Sequence, residues 1–121
     1  MNHQEDDERL DAVFAALASP HRRRVVDVLA SQPASIQQVA EQVGLSLTAI
    51  NRHLAVLEAA GLIRRLKSGR VNFLAVRREG LLAVRRWLDG YSPHWGSDTE
   101  TLENYVAAIT RTPANKKEST P

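Results

Sequence analysis

Apolar residues recur at helical spacing in two consecutive stretches in the middle of the chain. The first stretch predicts a short helix whose buried stripe consists of Ile36, Val39, Ala40 and Val43. The second predicts another helix, whose stripe consists of Leu47, Ile50, Leu54 and Leu57. Gly44 lies between them, where a positive φ would let the chain reverse direction. The pattern therefore predicts two helices joined by a tight turn.

Capping residues support both helices independently of the apolar pattern. Ser35 and Gln38 form the S-x-x-Q signature of a capping box at the start of the first helix. Ser46 is placed to cap the second helix, and Gly61 to end it. Two short helices joined in this way are a candidate helix-turn-helix, a motif whose second helix enters the major groove of DNA.

The outer face of the second helix carries residues that suit a DNA groove. The residues opposite the apolar stripe, with two more on its flanks, are Thr48, Ala49, Arg52, Val56, Asn51 and His53. Thr and Asn can donate and accept hydrogen bonds, Arg can bind a guanine edge or a phosphate, and Ala permits close approach to a thymine methyl group. The alternative is an ordinary amphipathic helix with a solvated face.

A β-hairpin is predicted directly after this helix. Two short apolar runs, residues 62–66 and 71–76, enclose the sequence Lys67-Ser68-Gly69-Arg70, in which Gly69 supplies the unusual φ of a tight turn. The hairpin is cationic, with Lys67 and Arg70 at its tip. A basic hairpin after a recognition helix is the wing of a winged helix, and it would reach phosphate or the adjacent minor groove. A solvated hairpin tip without a partner is the alternative.

Further helices are predicted on both sides of this central region. Before it, one helix begins near Glu8 and a second runs from the Ser19-Pro20 start signal to about Ala30. After the hairpin, the pattern predicts helices over about 79–89 and 99–109. Three cations crowd the first turn of the second helix, where the helix dipole disfavours them: Arg22, Arg23 and Arg24. Contact with phosphate and salt bridging to the acidic first helix are both open explanations.

These elements predict a mainly α fold with a small β-hairpin, a winged helix-turn-helix of five to six helices. We expect a disordered acidic start over residues 1–7 and the winged helix-turn-helix domain over residues 8–90. A C-terminal helical extension is expected over residues 91–110. The polar residues 111–121 are expected to form a disordered tail.

Composition and charge narrow the class of protein. The 121 residues include no Cys, which excludes disulfides and thiolate metal sites. No apolar run is long enough to span a membrane and the start lacks a secretion signal, so we expect a cytoplasmic protein with no membrane partner. Residues 12–86 hold twelve basic and four acidic side chains, a local charge of +8 that attracts nucleic acid. No catalytic motif is present, and we predict that the chain is not an enzyme.

The outer helices carry more apolar surface than a small winged core can cover. Two-fold pairing would bury this surface and would present two recognition helices to successive major grooves. We therefore predict a homodimer whose interface includes Leu10, Val13, Phe14, Leu81, Val84, Trp87, Leu88 and Tyr91. The aromatic cluster of Trp87, Tyr91 and Trp95 has two interpretations, as interface alone or also as a pocket for a small ligand.

Three stretches together carry a resemblance to a known family. They are LASPHRRRVVDVL, SIQQVAEQVGLSLTAINRHLAVLEAAGLIRR and SGRVNFLAV, in this order. The chain resembles the ArsR family of bacterial repressors over about residues 8–90, most specifically over 45–65. The resemblance implies a homodimeric winged helix-turn-helix repressor that binds double-stranded DNA at an operator. It implies as DNA contacts Ser46, Thr48, Ala49, Asn51, Arg52 and His53, with Lys67 and Arg70 on the wing.

The chain departs from this family in its sensor residues. Many members bind metals or arsenic through a Cys-x-Cys motif in the first helix of the helix-turn-helix, where this chain has no thiol. Others use acids and His on the helix after the wing, where this chain has only Glu79 and Asp89, with His94 beyond it. We therefore predict no metal and no cofactor, and the identity of any small-molecule effector is left open. The alternatives are a metal-responsive repressor with a non-thiol site and a winged helix used only for protein–protein interaction.

Overall fold

The computed structural model describes residues 3–91 and 98–119, and over these ranges the chain forms six helices and three strands. In chain order they are α1 (His3–Leu17), α2 (Pro20–Ser31), β1 (Ala34–Ser35), α3 (Ile36–Val43), α4 (Leu47–Ala59), β2 (Ile63–Ser68), β3 (Val71–Val76), α5 (Arg78–Asp89) and α6 (Asp98–Ser119). The chain divides into two compact units, one ending at Leu88 and the other beginning at Asp89. The predicted fold class, a winged helix-turn-helix, is confirmed.

The wing is part of a three-stranded antiparallel sheet with the order β1-β3-β2. Ser68 pairs with Val71, so Gly69 and Arg70 form a two-residue turn, in which Gly69 has a φ of +63°. A positive φ at the first central residue only is typical of a II′ turn, which matches the twist of paired strands. The predicted hairpin is confirmed, and β1, which the sequence did not predict, adds a third strand next to β3.

One apolar core joins the first four helices to the sheet. Its fully buried large side chains come from α1, α2, α3, α4 and the wing strands or their edges: Val13, Val25, Val39, Ile50, Leu54, Leu57, Leu62, Ile63 and Leu74. The stripe predicted on α4 is therefore correct at three positions. It is wrong at Leu47, which is 53% exposed. Leu47 is the first residue of its helix, and a helical side chain leans toward the N-terminus, which here lies beyond the core.

The predicted caps are all present. Ser35 and Gln38 form a complete capping box, in which each side chain accepts from the other residue's backbone N–H at 3.1 and 2.9 Å. Gly44 adopts the left-handed conformation, with a φ of 80°, and its N–H donates to the carbonyl oxygen of Ala40. The Oγ of Ser46 accepts from the N–H of Ala49 at 3.1 Å. These local contacts fix the angle at which α4 leaves α3.

The ends of the outer helices differ from the predictions. Helix α1 begins at His3, five residues before the predicted start at Glu8. Two acids in its first turn suit the helix dipole, and Gln4 donates to Glu8 one turn later at 3.3 Å. At the other end, the α6 backbone continues to Ser119, whereas the sequence predicted that residues 111–121 form no fold. The Ala, Lys and Glu residues of this segment are strong helix formers.

Helix α5 begins in close contact with the segment that follows α4. A Cβ atom on Gly80 would lie 2.8 Å from the carbonyl oxygen of Gly61, so only glycine fits this position without a shift. The backbone N–H of Gly80 donates to the same oxygen at 3.1 Å. Val84, one turn further along, packs against the core. The contact sets where α5 leaves the winged core.

Candidate nucleic-acid interface

The outer face of α4 is solvated where the sequence predicted it to be. Thr48, Asn51 and Arg52 are exposed, and Ile50, Leu54 and Leu57 on the opposite side of the helix are fully buried in the core. Ala49 is half-buried, and the Oγ of Ser46 is engaged in its capping bond. The accessible polar groups on this face are thus two short hydrogen-bonding side chains and one guanidinium. A major groove can be read by such a set, because donors, acceptors and a bidentate cation distinguish base edges.

The wing extends this polar face with cations. Lys67 is exposed on β2 next to the tight turn, and Arg70 is exposed within the turn. Arg65 on β2 lies closer to the recognition helix, and its Nε donates to the Oε1 of Glu58 on α4 at 2.8 Å. This ion pair is about one third exposed, so its energy is modest. Its geometric effect is to tie the first wing strand to the helix before it.

His53 was predicted as a DNA contact, and the structure gives it partners on α2. Its side chain is half-buried, and its Nδ1 lies 3.3 Å from Nη1 of Arg22. Its ring centroid is 5.5 Å from that of His21. Burial, followed by the charges of Arg22 and His21, lowers the pKa of His53 from its ordinary value of 6.5. His53 thus faces the α1–α2 corner, whereas its neighbour Arg52 faces solvent.

Two of the arginines at the start of α2 bond to backbone carbonyl oxygens at the end of α1, an arrangement that the sequence did not predict. The Nε of Arg22 donates to the carbonyl oxygen of Ala16 at 2.6 Å, and its Nη2 donates to that of Ala15 at 3.3 Å. The Nη1 of Arg23 donates to the carbonyl oxygen of Leu17 at 2.7 Å. The last carbonyl groups of a helix lack partners within the helix. These two cations satisfy them at the end of α1, where they also complement the helix dipole.

A second surface lies where α1 meets α5. Phe14 and Trp87 form an edge-to-face pair with centroids 5.4 Å apart and an interplanar angle of 82°. They remain 39% and 43% exposed, and Leu81 and Leu88 beside them are also exposed. Leu10 and Val84 are half-buried. These six of the predicted interface residues, all in the unit ending at Leu88, leave apolar surface uncovered in one chain.

The two remaining predicted interface residues are Val13 and Tyr91. Val13 is fully buried in the chain's own core, so its assignment to a dimer interface was wrong. Helical spacing cannot separate an inward from an outward stripe when a helix has apolar residues on both sides. Tyr91 is exposed and belongs to the second unit. Trp95 and His94 lie outside the described residues.

A groove of about 560 Å³ opens beside Trp87, between the first turns of α1 and the length of α5 from Glu79 to Trp87. Its lining combines three acids of the first turns of α1 with two arginines, and includes Glu5, Asp6, Asp7, Arg9 and Arg86. Within the described ranges, no three His, Asp or Glu side chains are grouped closely enough to hold a metal ion. Of the aromatic cluster for which the sequence allowed a ligand pocket, Trp87 lines this groove.

Comparison with known proteins identifies the family. The profile of a helix-turn-helix domain matches residues 17–65. The HTH-type transcriptional regulator Rv2034 of Mycobacterium tuberculosis is 32% identical over 99 residues, which cover 82% of this chain and 87% of that relative. The crystal structure of the ArsR family transcriptional regulator RHA00566 superposes with a TM-score of 0.66 at 36% identity, covering 75% of this chain and 94% of the other.

A third neighbour shares the fold at lower identity. It is the homodimeric winged helix-turn-helix DNA-binding domain Mb0332 of Mycobacterium bovis, with a TM-score of 0.60, 21% identity, and coverage of 80% of this chain and 95% of the other. The chain belongs to the ArsR family of transcriptional regulators, as the sequence resemblance predicted. It is a DNA-binding transcriptional regulator. None of the helices in the described residues is long and apolar enough to cross a membrane.

Proposed function

We propose that the chain acts as a homodimeric repressor that binds an operator through the outer face of α4 and through the wing. One observation carries this proposal. An exposed polar face with a single long cation, Arg52, lies opposite a stripe that is buried beyond the first residue of α4, and the helix is followed at once by a hairpin with Lys67 and Arg70 at its tip. Base edges would be read by Thr48, Asn51 and Arg52, and phosphates would be bound by the wing.

The two-fold assembly is proposed on the apolar surface where α1 meets α5. Phe14 and Trp87 present an aromatic pair there, and Leu81 and Leu88 extend it. Large aromatic side chains carry much of the binding energy of protein interfaces, and Trp is enriched among interaction hot spots. A homodimeric neighbour with the same fold supports this assembly. In such a dimer, the two α4 helices would occupy successive major grooves about one DNA turn apart.

Two further parts of the proposal concern class and location. We propose that the chain has no catalytic activity, since its relatives are transcriptional regulators and its exposed polar face suits a groove. We also propose that it acts in the cytoplasm, where a bacterial regulator meets its DNA. His53 is removed from the set of proposed base contacts, because its Nδ1 is engaged with Arg22.

The test begins with selection of bound duplexes from a library of genomic fragments. With the selected duplex, Arg52→Ala should cost about 1–3 kcal/mol of binding free energy and should relax specificity at one base pair. Arg85→Ala is the matched control, because it removes the same charge from an exposed site on α5. An Arg52→Ala variant that binds as wild type would remove Arg52 from the base contacts. Retention on heparin or random duplex that does not depend on salt would favour a protein-binding module.

A further inference from the structure

One guanidinium connects three helices of the winged core. Arg22, in the first turn of α2, donates to the carbonyl oxygens of Ala15 and Ala16 at the end of α1 through Nη2 and Nε. Its remaining nitrogen, Nη1, lies 3.3 Å from Nδ1 of His53 on α4. The planar fork of an arginine can bridge several acceptors at fixed angles, which a lysine cannot do. The recognition helix is thereby attached to the C-terminal end of α1 through a single side chain.

The chemistry of this contact fixes the state of the imidazole. Arg has five N–H donors and no acceptor, so Nδ1 of His53 has to accept the hydrogen bond. An accepting Nδ1 means that His53 is neutral and carries its proton on Nε2. Protonation at Nδ1 would remove the acceptor and would place two cations 3.3 Å apart. The contact therefore exists in only one of the two charge states of His53.

We propose that Arg22 and His53 are a positioning pair that holds the recognition helix in the orientation for DNA binding, and that protonation of His53 releases it. This proposal rests on the proposed function of α4, which is DNA binding. The pair lies on the flank of the proposed base contacts, because His53 follows Arg52 in the chain and is turned about 100° around the helix from it. It also lies beside the proposed dimer surface, because Ala15 follows Phe14 on α1. The pair thus links the surface that sets the spacing of the two half-sites to the helix that reads them.

The ionisable groups that act on His53 are both on α2. They are Arg22 and His21, the latter with its ring 5.5 Å away, and α1 faces the pair with backbone carbonyl groups. Since the pKa of His53 is lowered from 6.5, the folded chain binds fewer protons than the unfolded chain between the two pKa values. The contribution of the neutral pair to the free energy of unfolding is present above pH 6.5. It is lost as the pH falls through the pKa of His53 in the folded chain.

The direction in which DNA affinity changes with pH distinguishes release of this pair from a simple gain of positive charge. Protonation of any histidine adds positive charge, which strengthens binding to phosphate. Release of the pair has the opposite consequence, because a recognition helix that is less well held loses contacts with base edges. Affinity for the specific duplex should therefore fall at acidic pH, and affinity for random duplex should fall less or should rise.

The experiment measures binding between pH 8 and pH 5 at constant ionic strength. The probe is a duplex that the wild-type protein has selected from a random library at pH 8. We expect wild-type affinity to fall about tenfold over this range, as for loss of one hydrogen bond to a charged group. His53→Asn places an amide oxygen near the position of Nδ1, and it does not titrate. This variant should bind as wild type at pH 8 and should keep that affinity at pH 5.

Two further variants complete the test. Arg22→Lys keeps the charge and loses the bridge, so its affinity should be reduced at pH 8 and should change little with pH. His21→Asn removes the neighbouring titrating group and keeps the pair, so the acid-dependent loss should persist. In the protein without DNA, nitrogen NMR should show His53 as the Nε2–H tautomer at pH 8. Arg22→Lys keeps both the burial of His53 and the neighbouring positive charge that lower its pKa, so this pKa should change little in the variant.

Several results would overturn the proposal that Arg22 and His53 position the recognition helix. A rise in specific affinity at acidic pH that His53→Asn abolishes would assign His53 to phosphate contact. A wild-type affinity that does not change with pH would show that the pair has no role in DNA binding. An Nδ1–H tautomer at pH 8 would show that the contact with Arg22 does not form. Failure of the wild-type protein to bind any duplex would reject the proposed function of α4, and the tautomer measurement would still decide whether the contact exists.

Discussion

The helix-turn-helix and the surface where α1 meets α5 are built from the same kind of amphipathic helix, but they differ in how far their apolar side chains are buried. In the helix-turn-helix, the apolar stripes of α3 and α4 are buried except at their first residues, the half-buried Ile36 and the exposed Leu47, and each helix start is capped. On the α1–α5 surface, Phe14, Trp87 and Leu88 remain between 39% and 53% exposed. The helix-turn-helix buries its apolar side chains within a single chain, and we call it the complete region. The α1–α5 surface leaves apolar side chains exposed in a single chain, and we call it the incomplete region.

The difference shows what helical periodicity can and cannot predict. A stripe of apolar residues predicts which face of a helix avoids water, but the identity of the covering surface depends on the rest of the fold. Val13 and Phe14 are neighbours on α1, yet Val13 is fully buried in the core and Phe14 meets Trp87 at the surface. We infer that a second copy of the chain covers the latter, and mutations can measure how different the two regions are.

The largest effect is expected in the complete region. Leu54→Ala should lower the free energy of unfolding by about 3–5 kcal/mol, because a fully buried Leu leaves a cavity in the core of the winged domain. Leu47→Ala is the matched control on the same helix, and it should change stability by less than about 0.5 kcal/mol because the side chain is mostly exposed. Urea unfolding followed by circular dichroism measures both. Equal losses would mean that Leu47 is covered in solution.

The helix-turn-helix was predictable because its determinants are local. The serine caps, the glycine in the turn and the apolar stripes lie within a few residues of the contacts that they make. The contacts that sequence reasoning missed join distant segments. Arg22 meets His53 across 31 residues, and β1 pairs with β3 across about forty. A two-residue strand has no periodicity of its own, and a side chain's long-range partner leaves no trace in residue spacing.

The next effect is expected on the incomplete region. Trp87→Ala should weaken self-association by about 2–4 kcal/mol, because a large ring near the centre of an interface is typical of an interaction hot spot. Binding to the selected duplex should fall with it, since the two half-sites would no longer be bound together. Sedimentation equilibrium over a concentration series measures the association. The unfolding of the monomer should change less than in Leu54→Ala, since Trp87 is 43% exposed in one chain.

Two results would reverse this interpretation of the α1–α5 surface. A wild-type protein that is monomeric at micromolar concentration would reject the dimer. A Trp87→Ala variant that stays dimeric but unfolds more easily would show that the pair with Phe14 stabilises the single chain instead. Val84→Ala is a useful companion, because Val84 packs on the core of the same chain and should affect unfolding more than association.

The smallest effect separates two cations on the wing, within the region that is otherwise complete. Arg65 and Lys67 are two residues apart on β2 and therefore point to the same face of the sheet. Arg65 is engaged with Glu58 at 2.8 Å, whereas Lys67 is exposed next to the turn.

If Lys67 binds a phosphate, Lys67→Ala should reduce the slope of log affinity against log salt by about one unit and should weaken all duplexes similarly. Arg65→Ala should leave the slope within error of wild type and cost at most about 1 kcal/mol of stability, as expected for an exposed ion pair. Duplex titrations at four or more salt concentrations distinguish the two variants. Equal slopes for Lys67→Ala and wild type would mean that the wing tip faces solvent in the complex, and a reduced slope for Arg65→Ala would mean that DNA replaces Glu58 as the partner of that arginine.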